Sequence, residues 1–145
     1  MERRMFAGRI MTTDITRLTP ESALIDALKG LAVFAGQLPI VHDDGTIAGV
    51  ITAERLLRRI MPDAPMDGVL PEFIRNVRGL EGQTVRRFME SEYHSVIPEA
   101  GALELGRIFS ASGIHSTILV VDNAGILLGV ITAREFFKRL LEYSA

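Results

Sequence analysis

The feature that most constrains this chain is that it contains itself twice. Residues 41–53 (VHDDGTIAGVITA) align with 121–133 (VDNAGILLGVITA) at an offset of 80, and seven of the 13 positions are identical. Unrelated residues would agree at about one such position. Upstream the match continues at an offset of 78, with Arg9-Ile10-Met11 over Arg87-Phe88-Met89 and Leu18-Thr19-Pro20-Glu21 over Val96-Ile97-Pro98-Glu99. The change of offset puts a two-residue insertion in the helix that follows or in the loop after it. A tandem duplication restricts the fold to two similar units.

Each copy predicts strand, helix, strand, strand, helix. In the first, 15–18 is a short extended piece. Thr19 suits a helix cap and Pro20 a first helical position, and Ala23, Leu24, Ala27, Leu28 and Leu31 supply an apolar stripe that ends near Gly36. Residues 38–42 and 47–51 predict strands joined by the Asp43-Asp44-Gly45 turn, and Thr52 caps a helix over 53–60 that Pro62 stops. In the second copy 94–97 is extended, a helix runs to about Ser112, strands cover 117–121 and 127–131, and a helix follows from Ala133 to about Tyr143. Between the copies, 69–77 and 83–89 predict short helices on either side of a break at 79–82. Gly45 and Gly125 fit hairpin turns that need positive φ. Gly49 and Gly129 weaken the strands they interrupt, so a bulge or a close backbone approach is their reason. One unit alone leaves a sheet face uncovered. The expected fold is therefore α+β, two pseudo-symmetric βαββα units packed sheet to sheet with helices outside. The expected boundaries are 5–61, a connection over 62–82, and 83–143.

Composition narrows the function. Hydrophobic residues make up 48% of the 145 and charged residues 23%, a globular balance. Sixteen Lys and Arg against 18 Asp and Glu give a net charge of -2 with His neutral, which argues against a dedicated nucleic-acid binder. The absence of cysteine removes disulfides, thiolate metal sites and cysteine nucleophiles together. No apolar run reaches the roughly 20 residues of a membrane span. The start, Met1-Glu2-Arg3-Arg4-Met5-Phe6, lacks the apolar stretch of a signal peptide. A cytoplasmic location is the expectation. The three histidines, His42, His94 and His115, match no zinc-ligand spacing, and no G-x-S-x-G elbow occurs. Asp43-Asp44 and Asp122 sit in turns, where Asp bonds its own backbone. No catalysis and no metal are expected.

The duplicated strings carry a resemblance. Leu38-Pro39-Ile40-Val41 followed by Gly49-Val50-Ile51-Thr52, and Ile118-Leu119-Val120-Val121 followed by Gly129-Val130-Ile131-Thr132, resemble a tandem pair of CBS domains, or Bateman module, over about 5–141. The resemblance implies a regulatory module that binds an adenine nucleotide, AMP, ADP, ATP or a related adenosyl ligand, in clefts between the halves. It implies no required cofactor, and it implies a homodimer. A ligand-free dimerisation or protein-interaction module that acts on a separately encoded partner is the alternative. Leu56, Leu57, Ile60, Phe136, Phe137, Leu140 and Leu141 give the last helix of each copy apolar surface for pairing or for the core.

By the same resemblance, a Thr closing the last strand meets phosphate, and an acid three positions on meets ribose. In the second copy these are Thr132 and Glu135, with His94, Ser95, Val96, His115, Ser116 and Thr117 as further walls. This cleft is the favoured one. Thr132-Ala133-Arg134-Glu135 is equally a capping box that needs no ligand. In the first copy the positions are Thr52 and Arg55, with Thr16, Gln37, Leu38 and Pro39. Arg55 cannot accept a ribose hydrogen bond, so either this cleft is empty or Arg55 serves another purpose, as an ion pair, a solvated side chain or a phosphate contact.

Overall fold

The computed structural model describes residues 4–34, 36–63, 69–113 and 116–145. The first repeat contains helix α2 (Leu24–Val33), strands β1 (Gln37–Val41) and β2 (Ile47–Thr52), and helix α3 (Ala53–Ile60). The second contains β3 (His94–Val96), α5 (Ala102–Ser112), β4 (Thr117–Val121), β5 (Leu127–Thr132) and α6 (Ala133–Ser144). A short helix α1 (Ala7–Ile10) precedes the first repeat, and α4 (Val69–Arg78) lies between the two. β1 and β2 form an antiparallel hairpin, as do β4 and β5, and β3 adds in parallel to β4. Leu18 takes the place of β3 in the first repeat as a single parallel bridge to Ile40. The two-residue insertion is divided. α5 has 11 residues against 10 in α2, and the connection 113–116 is one residue longer than 34–36.

Strand alternation divides the core into three clusters. Leu38, Ile40 and Ile51 point at the first repeat's helices, where they meet Leu24, Ala27 and Leu56. Ile118, Val120 and Ile131 point at the second repeat's helices, toward Leu105, Phe109 and Phe136. The opposite faces meet each other, with Val41 and Val50 against Leu119, Leu127 and Val130. The sheets therefore share one apolar layer, as expected.

The repeats exchange their leading segments. Phe6 pairs with Gly101 and Thr12 with Val130, so 6–12 lies on the second repeat. Thr84 pairs with Ala23 and Glu90 with Val50, so 84–90 lies on the first. Gly49 and Gly129 are where these crossings touch the sheets. A Cβ at Gly49 would stand 2.7 Å from the Glu90 carbonyl oxygen, and one at Gly129 would stand 2.8 Å from that of Thr12. Each glycine also adjoins a register shift in its hairpin. Gly45 and Gly125 have φ of 88° and 82°, as their turns require.

The exchange explains where local reading failed. Thr19 does not cap α2, which begins at Leu24. Residues 19–22 form a turn in which Ser22 N donates to Thr19 O, and the chain crossing from the other side takes the next groups. Val85 N donates to Ser22 O, Arg86 N to Pro20 O, and Leu24 N to Gln83 O. For the same reason 83–89 is helical only as one 3-10 turn, Val85–Arg87. Residues 79–82 form a second such turn that continues α4.

Candidate functional site

A pseudo-twofold relates the repeats, and Gln37 and Thr117 are equivalent residues that face each other across it. The Gln37 backbone N–H donates to Thr117 Oγ1 at 2.9 Å, and the Thr117 N–H donates to Gln37 Oε1 at 3.2 Å. Thr117 is fully buried, the one buried polar side chain among the described residues. Its hydroxyl is therefore a clasp between repeats and not a free cleft wall. Gly36 must lack a side chain here, because a Cβ would fall 2.3 Å from that hydroxyl and its φ is +144°.

A groove opens beside this clasp. One cavity of about 390 Å³ is lined by Leu31, Phe34, Gly36, Gln37, Thr52, Ala53, Glu54 and Ser116. A second, of about 490 Å³, shares Gln37 and Ser116 and adds Ser91, Glu92, Tyr93, His94 and Ser112. A third, of about 350 Å³, shares Ser91 and Glu92 and is completed by Arg55, Met89 and Glu90. Shared walls make these one run from an apolar end at Leu31 and Phe34 to a charged end at Arg55. Each lies within the size range of small-molecule sites, which is about 300–1,000 Å³.

The sequence-predicted residues regroup around it. Sequence reading placed His94 and Ser116 with Thr132. The sheet order β3-β4-β5 puts His94 and Thr132 on opposite flanks of β4, roughly 10 Å apart at two strand spacings. His94 and Ser116 join Gln37, and Ser116 and Gln37 join Thr52. Ser95 is exposed on β3. Val96 turns its side chain into the second repeat's core, and Leu38 turns into the first's. Pro39 is buried, and the Thr16 methyl packs over Gly30 of α2. His115 lies outside the described residues. Leu31, Phe34, Ser91, Glu92 and Ser112 were missed. They belong to helix ends and crossings whose meeting no local pattern announces.

Both strand-ending threonines are helix caps. Thr52 Oγ1 accepts from the Arg55 N–H and Thr132 Oγ1 from the Glu135 N–H, each at 3.2 Å. The capping box over 132–135 is formed in its forward half. The Glu135 carboxylate turns along the helix to Arg139 Nε at 3.3 Å. In the first repeat Arg55 reaches Glu90 Oε1 at 3.6 Å. His94 Nε2 lies 2.8 Å from Ser112 Oγ, and that hydroxyl donates to Ile108 O at 2.6 Å. The serine proton is thus directed at a carbonyl, and the histidine donates to the serine rather than activating it. No cluster of three or more His, Asp or Glu that could hold a metal occurs among the described residues. Among the same residues, no helix is long and apolar enough to cross a membrane.

Two stretches of the chain, 7–62 and 85–142, each match the family model described as CBS domain. The chain belongs to the CBS domain family. With two matches in one body it is a tandem CBS pair, a Bateman module. Its fold is similar to that of CBSX2 from Arabidopsis thaliana (TM-score 0.77, 22% identity, 96% of each chain covered). It is also similar to a CBS domain-containing protein from Bacillus anthracis (TM-score 0.74, 20% identity, 95% of this chain and 94% of that one). A structure of CBSX2 in complex with AMP matches at TM-score 0.73 and 21% identity, over 97% of this chain and 98% of that one. A search of curated proteins found no match.

Proposed function

We infer that this CBS pair is a non-catalytic regulatory module that senses an adenine nucleotide in the groove beside Gln37, Thr52 and Ser116. The observation that carries this reading is the joined cavity itself. Leu31 and Phe34 offer an apolar wall for a base, and Gln37, Ser116 and the exposed first turn of α3 offer polar groups beyond it. The AMP complex of CBSX2 supports the choice of ligand. This reading takes the cleft bearing Thr52, which lines the cavity, over the one bearing Glu135 that the resemblance favours. Calorimetric titration of the intact chain with AMP, ADP and ATP tests the reading, and saturable binding of at least one is expected. Ala53 lines the cavity, is exposed and supports no core contact, so Ala53→Phe fills the groove without disturbing the fold. Its expected effect is a loss of binding of tenfold or more. Absence of binding by all three nucleotides at millimolar concentration would refute the proposal.

A homodimer is part of the same reading. Of the apolar residues on the two closing helices, Leu56, Ile60 and Phe136 are core. Leu57 on α3 and Met61 just after it, and Phe137, Leu140 and Leu141 on α6, stay exposed, with Leu141 at 72%. Sedimentation at micromolar protein is expected to show two copies, and Leu141→Glu is expected to shift the population to one. A wild-type monomer would leave the separately encoded partner as the occupant of this surface.

A further inference from the structure

The two repeats carry opposite charges at two matched positions where their closing helices start, Glu54-Arg55 in the first and Arg134-Glu135 in the second. This inference rests on the small-molecule groove above and names the chemistry of its charged end. Arg55 occupies the place held by Glu135 in the second repeat, the third residue of the helix after the capping threonine. A cation there faces the positive end of the helix dipole and is disfavoured unless an anion stands beside it. Glu90 supplies that anion at present, but loosely. The separation of 3.6 Å exceeds hydrogen-bond length, and the side chains are 40% and 34% exposed. A pair so open to solvent is screened and readily exchanged. Glu135 is settled differently, because its partner Arg139 lies on its own helix.

We propose that Arg55 is the anion-binding residue of this groove, releasing Glu90 to take the oxyanion end of the ligand. A phosphate presents two or three acceptor oxygens to the guanidinium fork, where the present contact with Glu90 is a single long one. The free N–H groups of α3 add to the attraction. Glu92 lines the same cavity and opposes a second anion there, so Glu90 has to turn outward as the ligand enters. Glu90 is bonded through both backbone groups to Val50 of β2, so its side chain can leave while its backbone stays. Met89 and Ser91 flank it on the cavity wall.

The test compares AMP, adenosine and inorganic pyrophosphate by calorimetry on the wild type, Arg55→Ala and Glu90→Gln. Wild type is expected to bind AMP about tenfold or more tightly than adenosine. Arg55→Ala is expected to bring AMP down to the level of adenosine and leave adenosine unchanged. Glu90→Gln, which removes the competing carboxylate, is expected to tighten AMP severalfold. Equal binding of AMP and adenosine, unmoved by Arg55→Ala, overturns the anion site and leaves the adenine reading intact. Pyrophosphate binding that depends on Arg55, with no binding by AMP or adenosine, upholds the anion site and overturns the adenine reading. No binding by any of the three overturns both. Thermal melts of the variants confirm that exposed Arg55 and Glu90 were exchanged without loss of fold.

Discussion

The two repeats follow the same path and do different things with it. Among the described residues, the bridges that tie one leading segment to the opposite repeat recur at matched positions. Thr12 on Val130 answers Glu90 on Val50, and Phe6 on Gly101 answers Thr84 on Ala23. Backbone is conserved across the pseudo-twofold, and side-chain chemistry is not. Where the first repeat has Arg55 against Glu90, the second has Glu135 against Arg139. The closing helices differ too. α3 stops after eight residues, and Asn76 of α4 donates to the carbonyl of its last residue, Ile60, at 3.0 Å. α6 runs for 12 and leaves Leu140 at 38% exposure where its counterpart Ile60 is 9% exposed. A duplicated fold can thus keep its hydrogen-bond frame fixed and vary what the frame presents.

The largest test of the shared frame is Leu119→Ala. Leu119 is wholly buried in the layer both sheets contribute to, and its counterpart in the first repeat is Pro39. A loss of about 2–5 kcal/mol is expected in urea unfolding, in one transition. Two separated transitions would break the picture of a common core. Next come Gly49→Ala and Gly129→Ala, each expected to cost about 1–3 kcal/mol because the new methyl meets a carbonyl oxygen. Gly129→Ala should be the worse, since Met11 Sδ also stands 2.9 Å from the added atom. A neutral result at either would show that its crossing segment can lift away.

Smaller effects sharpen the comparison. Thr52→Ala and Thr132→Ala each remove one cap of equal length, and each should cost about 1 kcal/mol. A marked inequality would mean that one threonine does more than cap. The smallest concerns the turns. Thr46 donates to Asp44 from both hydroxyl and backbone, and these hydrogen bonds hold the Asp44 carboxyl below its ordinary value of 3.8. A lowered carboxylate stabilises the fold above that ordinary value, and the contribution fades as pH falls through the lowered one. Wild type should therefore lose slightly more stability than Thr46→Val between pH 5 and about pH 2. Coincident acid profiles would remove the effect.

Much of the fold was legible in the sequence, because duplication prints twice what a single pattern states once. The hairpins, the caps at Thr52 and Thr132, the positive-φ turns and the close approach at Gly49 and Gly129 follow from local residue chemistry. The start of α2 and the brevity of the helix at 85–87 do not, since their backbone groups bond to chain some sixty residues away. The candidate site was less legible. Thr52, Gln37, Ser116 and His94 are candidates that the resemblance divides between two clefts, and they line two cavities with shared walls. Glu90 is absent from those candidates, although the offset of 78 that matches Met11 to Met89 makes it the equivalent of Thr12. Thr117, a cleft wall by the resemblance, is buried and accepts from the Gln37 backbone N–H.

The traded leading segments bear on how the molecule comes into being. The leading strap of the first repeat, 6–12, finds its bed only at Gly101 and Val130, so a ribosome has to deliver both repeats before that strap has anywhere to rest. A protease cut between the halves would give two pieces, each carrying the other's missing strip. Such fragments should recognise one another and restore the whole, where neither could stand by itself.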